Sequence, residues 1–135
     1  MTGVLLPEEL RSAILEEARA FHPRECCGLL EGVREVADFR VTRLHPVRNL
    51  ASVPDRFAMD PQDQFAAHKS ARTRGHVVIG CYHSHPDGRA RPSQRDLAGA
   101  GEENFLWVIA AQETLAAFVY LRGEFVGADW VTSSE

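Results

Sequence analysis

Apolar residues recur at helical spacing from Leu10 through Ala13, Ile14, Ala18 and Phe21, which predicts an amphipathic helix ending near residue 22. Pro7 suits its first turn, Glu8 and Glu9 favour the positive end of its dipole, and Pro23 stops it. Ahead of it, residues 4–6 predict a short edge strand. CCGLLEG, residues 26–32, is a compact apolar run and reads as a buried strand, and VADFRVTRL, 36–44, alternates loosely and reads as the next. Residues 45–58, with two prolines, read as a loop. Asp60 and Pro61 then fit the N-cap and first position of a second helix, and Gly75 fits its end. HVVIGCYHSH, 76–85, begins as a β-branched run and predicts a central strand. Pro92-Ser93 opens a third, short helix. Residues 105–111, 115–121 and 124–131 predict three more strands, with turns at Gln112-Glu113 and Arg122-Gly123. The pattern is that of an α/β domain spanning 1–135, one mixed sheet with helices packed on it.

Composition narrows the function. With 135 residues the chain can bury a real core, and 44% hydrophobic with 25% charged residues is ordinary for a globular chain. A net charge of -4 does not suggest a nucleic-acid partner. Of 15 basic residues, Lys69 alone is a lysine. No apolar run approaches the length of a membrane span, and MTGVLLPEELRS lacks the basic start of a signal peptide. Three cysteines, Cys26, Cys27 and Cys81, make a poor disulfide framework and fit a reducing cytoplasm.

The stretch YHSHPDGRARPSQRDL, 82–97, carries the candidate chemistry. In a strand, residues i and i+2 face the same side, so His83 and His85 can lean onto one ion while Ser84 points away. Two zinc–nitrogen bonds of about 2.0–2.1 Å need nitrogens roughly 3.3 Å apart, within reach of that pair. A third donor is then required: Asp96 is the nearest carboxylate on a defined element, and Asp87 is the rival inside the loop. Two histidines and one carboxylate leave an open position, the pattern of a catalytic zinc site. Each piece also has a purely structural reading. A lone His-x-His is usually a polar strand end, Ser93-x-x-Asp96 is a helix-capping box, Asp87-Gly88 is a turn, and Cys81 is a small core residue.

Taken together, His83-Ser84-His85-Pro86, residues 86–92, then Ser93-x-x-Asp96 resemble the JAMM (MPN-plus) metalloprotease motif at full spacing. Gly80 and Tyr82 before the first histidine, ECCGLLEG at 25–32 and FAMDP at 57–61 match further parts, so the resemblance spans about residues 7–121. Cys81 departs from it, since many relatives carry a large aromatic there. The resemblance implies a single mixed sheet, partly barrel-like and flanked by helices, on the three-layer plan of cytidine deaminases. It implies that His83, His85 and Asp96 bind one Zn²⁺ per chain, that Glu25 is the general base, and that Ser93 donates a hydrogen bond to the oxyanion. By the residues alone, Glu31, Glu35, Glu102 and Glu103 compete with Glu25. The short chain is similar to the prokaryotic branch, whose expected substrates are small ubiquitin-like sulfur carriers ending in Gly-Gly. The expected reaction is hydrolysis after that tail, releasing cysteine or a conjugated protein, by a cytoplasmic monomer or homodimer with no membrane or nucleic-acid partner. Arg89 and Arg91 in the loop are candidates to meet a substrate carboxylate. A non-catalytic scaffold of the same fold is one rival. A zinc deaminase is another, but its H-x-E and P-C-x-x-C signature is absent.

Overall fold

The computed structural model describes residues 2–132. The strands are β1 (Gly3–Leu5), β2 (Cys27–Arg34), β3 (Asp38–Val47), β4 (Val77–Ser84), β5 (Phe105–Ala111), β6 (Thr114–Leu121), β7 (Glu124–Gly127) and β8 (Asp129–Val131). The helices are α1 (Glu8–Phe21), α2 (Pro61–Arg72) and α3 (Gln94–Gly99). The strands form one mixed sheet in the order β7-β6-β5-β4-β2-β3-β1-β8. Strands β7 and β8 stand at opposite ends of that order, yet Ala128 alone separates them in sequence. The sheet must therefore bend round until its two ends meet, which makes it nearly closed and barrel-like, as expected. The junction is held by Ala128 N donating to Ala117 O and Asp129 N donating to Thr2 O, each at 2.9 Å.

Three expectations change. Residues 124–131 are two strands, because β7 pairs with β6 while β8 crosses to pair with β1. For the same reason β1 is not an edge strand: β3 lies on one side and β8 on the other. Strand β3 runs through His45-Pro46-Val47, which the prolines had marked as loop. Pro46 is tolerated because β1 reaches only Asp38–Arg40, leaving the far side of β3 unpaired at Pro46. The predicted helix caps and turns are present. Asp60 accepts from Gln62 N, Pro61 is the first residue of α2, and Gln112, Glu113, Arg122 and Gly123 all have positive φ.

Each face of the sheet buries its own apolar cluster. Leu10, Leu15, Ala18 and the fully buried Ile14 of α1 pack with Leu30, Val41, Tyr82, Leu106 and Val108, while Ala13 and Phe21 fall outside the buried stripe. On the other face Ala67 of α2 packs with Cys27, Leu29, Cys81 and Trp107. A bulge decides which face β4 offers to which cluster. Leu30 pairs with Gly80 but Glu31 pairs with Val78, so Ile79 is an extra residue. Beyond it Tyr82 points at α1, where its hydroxyl donates to Glu17 at 2.7 Å, and Cys81 faces α2. By alternation His83 shares the Cys81 face; a one-residue slip would reverse both.

Glu31, a competitor for the role of base, is fully buried and committed elsewhere. Arg74 donates to it from Nε at 2.8 Å and from a terminal nitrogen at 2.7 Å, and His45 Nε2 and His76 Nδ1 lie 2.8 and 2.9 Å from its oxygens. These partners, Arg74 foremost, overcome the opposing effect of burial and hold its pKa down at about 2. A depressed carboxyl pKa contributes stability that is present above the ordinary value and fades as pH falls through the folded one. Arg74→Ala is expected to destabilise the fold by about 2 kcal/mol at neutral pH, below the range for fully buried pairs because Arg74 is partly in water. Melting curves should show the deficit shrinking between about pH 4.5 and 2; a deficit constant over that window would assign it to packing instead.

Candidate metal centre

The site lies where β4 ends. Strands β4 and β5 run parallel, so the chain must cross over between them, and residues 85–104 make that crossover with α3 in it. His83 and His85 project from the end of β4, and α3 brings Asp96 down onto them. His83 Nε2 and His85 Nε2 are 2.9 Å apart, and Asp96 Oδ2 lies 3.2 and 3.1 Å from them. Among the described residues these three form the group of His, Cys, Asp or Glu donors close enough to share one ion, and all three are buried. Asp87 stays outside: it is exposed, and its Oδ1 accepts from Arg89 N at 3.0 Å as a turn residue. Cys81 is buried on the same face as a neutral core thiol, pushed well up by burial.

The donor set fits a divalent cation. Two imidazole nitrogens and a carboxylate oxygen converge with separations close to the edges of a tetrahedral zinc site, roughly 3.3 Å. His85 Nδ1 lies 2.8 Å from the Arg89 carbonyl, a pure acceptor, so Nδ1 carries the proton and Nε2 is left as a lone-pair donor. Gly88, at φ +90°, makes the turn that brings this carbonyl round, and a Cβ there would also strike Gln112. His83 Nδ1 is buried with no hydrogen-bond partner, and its ring is held instead by Phe57, stacked at 4.5 Å, and Trp107, edge-on at 5.8 Å. Burial lowers the His83 pKa. Burial also works to lower that of His85, but Asp96 and the Arg89 carbonyl prevail and raise it. Burial would raise Asp96, yet the two imidazoles and the Ser93 amide hold it well below the carboxylate range. Neutral His83 and ionised Asp96 are the forms a metal takes.

Ser93 and Asp96 also form the capping box expected of their spacing. Ser93 Oγ accepts from Asp96 N at 3.1 Å, and Asp96 Oδ2 accepts from Ser93 N at 2.9 Å. The structural and the chemical readings of this pair coexist: the box holds the carboxylate still and leaves the Ser93 hydroxyl hydrogen to be donated.

Glu25 stands just before β2, 6% exposed, and lines two cavities that flank the cluster. The larger, about 510 Å³, has apolar walls from Leu29, Phe57, Met59, Phe105 and Trp107. The smaller, about 200 Å³, is bounded by Pro23, Pro54, Pro86 and Asp87. Burial, with Asp96, Asp55 and Asp87 adding to it against an opposing His85, raises the Glu25 pKa to about 7. Arg89 and Arg91 are exposed and line neither cavity; Arg95, given no role from the sequence, lines both and pairs with Asp55 at 3.3 Å. Phe57 was visible in the FAMDP stretch, but nothing local to it announces a stack on a histidine in β4.

The profile of prokaryotic homologs of the JAB domain matches residues 7–121. The chain is 34% identical to the probable TtuB-protein conjugate cleaving protease of Thermus thermophilus, over 90% of this chain and 76% of that one. It is 30% identical to the CysO-cysteine peptidase of Mycobacterium tuberculosis, over 80% and 73%. It also matches the tail tip assembly protein K of Escherichia phage N15 at 35% identity, spanning only 37% of that protein. In three dimensions it is similar to the solution structure of protein DSY2949 from Desulfitobacterium hafniense, with a TM-score of 0.87, 31% identity and coverage of 98% and 94%.

Proposed function

The chain belongs to the prokaryotic homologs of the JAB domain, and from that membership we propose that it is a zinc peptidase hydrolysing the bond after the C-terminal Gly-Gly of a small ubiquitin-like or sulfur-carrier protein. The observation that carries this reading is the convergence of His83, His85 and Asp96 in a cleft wall beside a buried Glu25 whose pKa is raised to about 7. Zinc held by those three residues would supply Lewis acidity, lowering the pKa of a water and polarising the scissile carbonyl.

The chain's own residues do the rest. Glu25, poised near neutrality, takes a proton from the attacking water and returns it to the departing amine. The Ser93 hydroxyl donates to the carbonyl oxygen as it gains charge, a contact whose loss lowers rate by about 10²–10³ where it has been measured in other hydrolases. An extended tail lying across the cluster from the larger cavity to the smaller passes Glu25 and Ser93, which line both. Arg95, at both cavities, is better placed than Arg89 or Arg91 to meet a substrate carboxylate. The names of the Thermus and Mycobacterium relatives support a carrier-protein adduct as substrate.

No helix among the described residues is long and apolar enough to cross a membrane. Three free, buried cysteines support a cytoplasmic protein, and the single sheet that runs through the described residues supports one domain.

Intact mass decides between the substrates. Zinc-loaded protein is incubated with a carrier tailed Gly-Gly-Cys and, separately, with the carrier joined to a lysine side chain. Loss of one cysteine assigns a carrier peptidase, and release from lysine alone assigns a deconjugating isopeptidase. Neither, with one zinc bound per chain, would overturn the reading in favour of a non-catalytic scaffold.

A further inference from the structure

The peptide joining Glu25 to Cys26 is gripped at both ends by side chains. Asn49 Nδ2 donates to Glu25 O at 2.9 Å. Ser84 Oγ accepts from Cys26 N at 2.8 Å, and the Ser84 amide donates to Cys26 O at 3.1 Å. Ser84 is the residue between the two histidines, buried on the face opposite them. Asn49 is equally committed. Its Nδ2 also donates to Arg56 O at 3.2 Å, and its Oδ1 accepts from Ala51 N and Ala58 N, both at 2.9 Å. One amide thereby gathers residues 49–58, the stretch that carries Phe57 onto the His83 ring.

We infer that Asn49 and Ser84 are positioning residues that fix the Glu25 main chain against the His83–His85 strand. The inference rests on the proposed role of Glu25 as base. Glu25 precedes β2, so the ladder pairing that begins at Cys27 does not hold its carbonyl. A peptide plane anchored through both its C=O and its N–H has no freedom to rotate, and the Glu25 side chain leaves the backbone immediately before it. A general base works only within hydrogen-bond reach of the proton it moves, and an ångström of misplacement lowers rate by about 10²-fold. Leu50 N donates to Ala58 O at 2.8 Å within the same loop, but that bond does not touch the Glu25–Cys26 peptide, and exposed ion pairs such as Arg95–Asp55 hold little.

The test compares Asn49→Asp, Asn49→Ala, Ser84→Ala and the Asn49→Asp/Ser84→Ala double variant, all zinc-loaded, with kcat and KM measured on the cleaved carrier adduct. Asn49→Asp keeps the acceptor for Ala51 and Ala58 but turns an oxygen toward Glu25 O, so it remains informative if Asn49→Ala fails to fold. Each single variant is expected to lose about ten-fold in kcat or more, with KM within two-fold, one zinc per chain and a cooperative melt. The double variant should fall short of the product of the singles, because both grip one peptide. Singles within two-fold of wild-type kcat, or losses confined to KM, would overturn the assignment. Amide exchange at Cys26 gives an independent reading. Wild-type protein inert on every adduct sinks the function, while faster Cys26 exchange in Ser84→Ala still upholds the grip; unchanged exchange refutes it.

Discussion

Glu25→Gln is expected to lower kcat by about 10²–10⁴ while the protein keeps one zinc per chain and an unchanged KM. Glutamine has the same shape but neither takes nor returns a proton, and Glu25 stands outside the three-donor group, so its loss spares the metal. The same substitution should stabilise the metal-free fold. A carboxyl raised from 4.5 to about 7 binds more protons folded than unfolded between those values, so stability falls as pH rises through that window. Glutamine removes that penalty. At pH 8 the gain is of order 1–3 kcal/mol for a side chain this buried, and it should vanish below about pH 4.5. A variant dead on the carrier adduct yet higher-melting at pH 8 in chelator is thus the expected pair of results. Full activity with zinc bound would remove Glu25 from the mechanism, and Glu102, which lines the larger cavity, would become the next carboxylate to test.

Asp96→Ala is expected to reduce bound zinc well below one per chain and abolish turnover. Two effects are mixed in that variant, since Asp96 also closes the capping box with Ser93, and a lost cap destabilises by about 1 kcal/mol. Asp96→Asn separates them. Its side-chain oxygen can still accept from the Ser93 amide, so α3 should form and the melting temperature should stay near that of wild type, while a neutral amide makes a poor metal donor. Zinc content by mass spectrometry under native conditions reads the difference. One tightly held zinc in Asp96→Ala would exclude this ligand set and send the search to Asp87, which a turn now occupies.

The site was legible to the extent that its parts are local. His83 and His85 share a face by strand alternation, Ser93 and Asp96 cap a helix by their spacing, and both can be read from 82–97 without knowing where that stretch sits. The positive-φ turns at Gln112-Glu113 and Arg122-Gly123 are local in the same way. Glu25 could not be chosen from its neighbours. The structure separates it from Glu31 by what each touches: hydrogen bonds from Arg74, then His45 and His76, hold one ionised, and burial in the cleft raises the pKa of the other. On the loop side, Arg95 lines both cavities while Arg89 and Arg91 line neither, a difference that their spacing in the sequence does not reveal.

Sequence by itself determined the donor types and their spacing, the mixed α/β plan and the caps and turns, because each follows from periodicity or from hydrogen bonds spanning a few residues. Tertiary structure alone decided the rest. The Ile79 bulge sets which face β4 turns to the cleft, and it exists only in the register between β2 and β4. The break at Ala128 arises because the two ends of a closing sheet compete for one segment. The grip on Glu25 joins residues 24 and 58 positions apart. Such contacts form only when separate elements pack, and no window of sequence contains both partners.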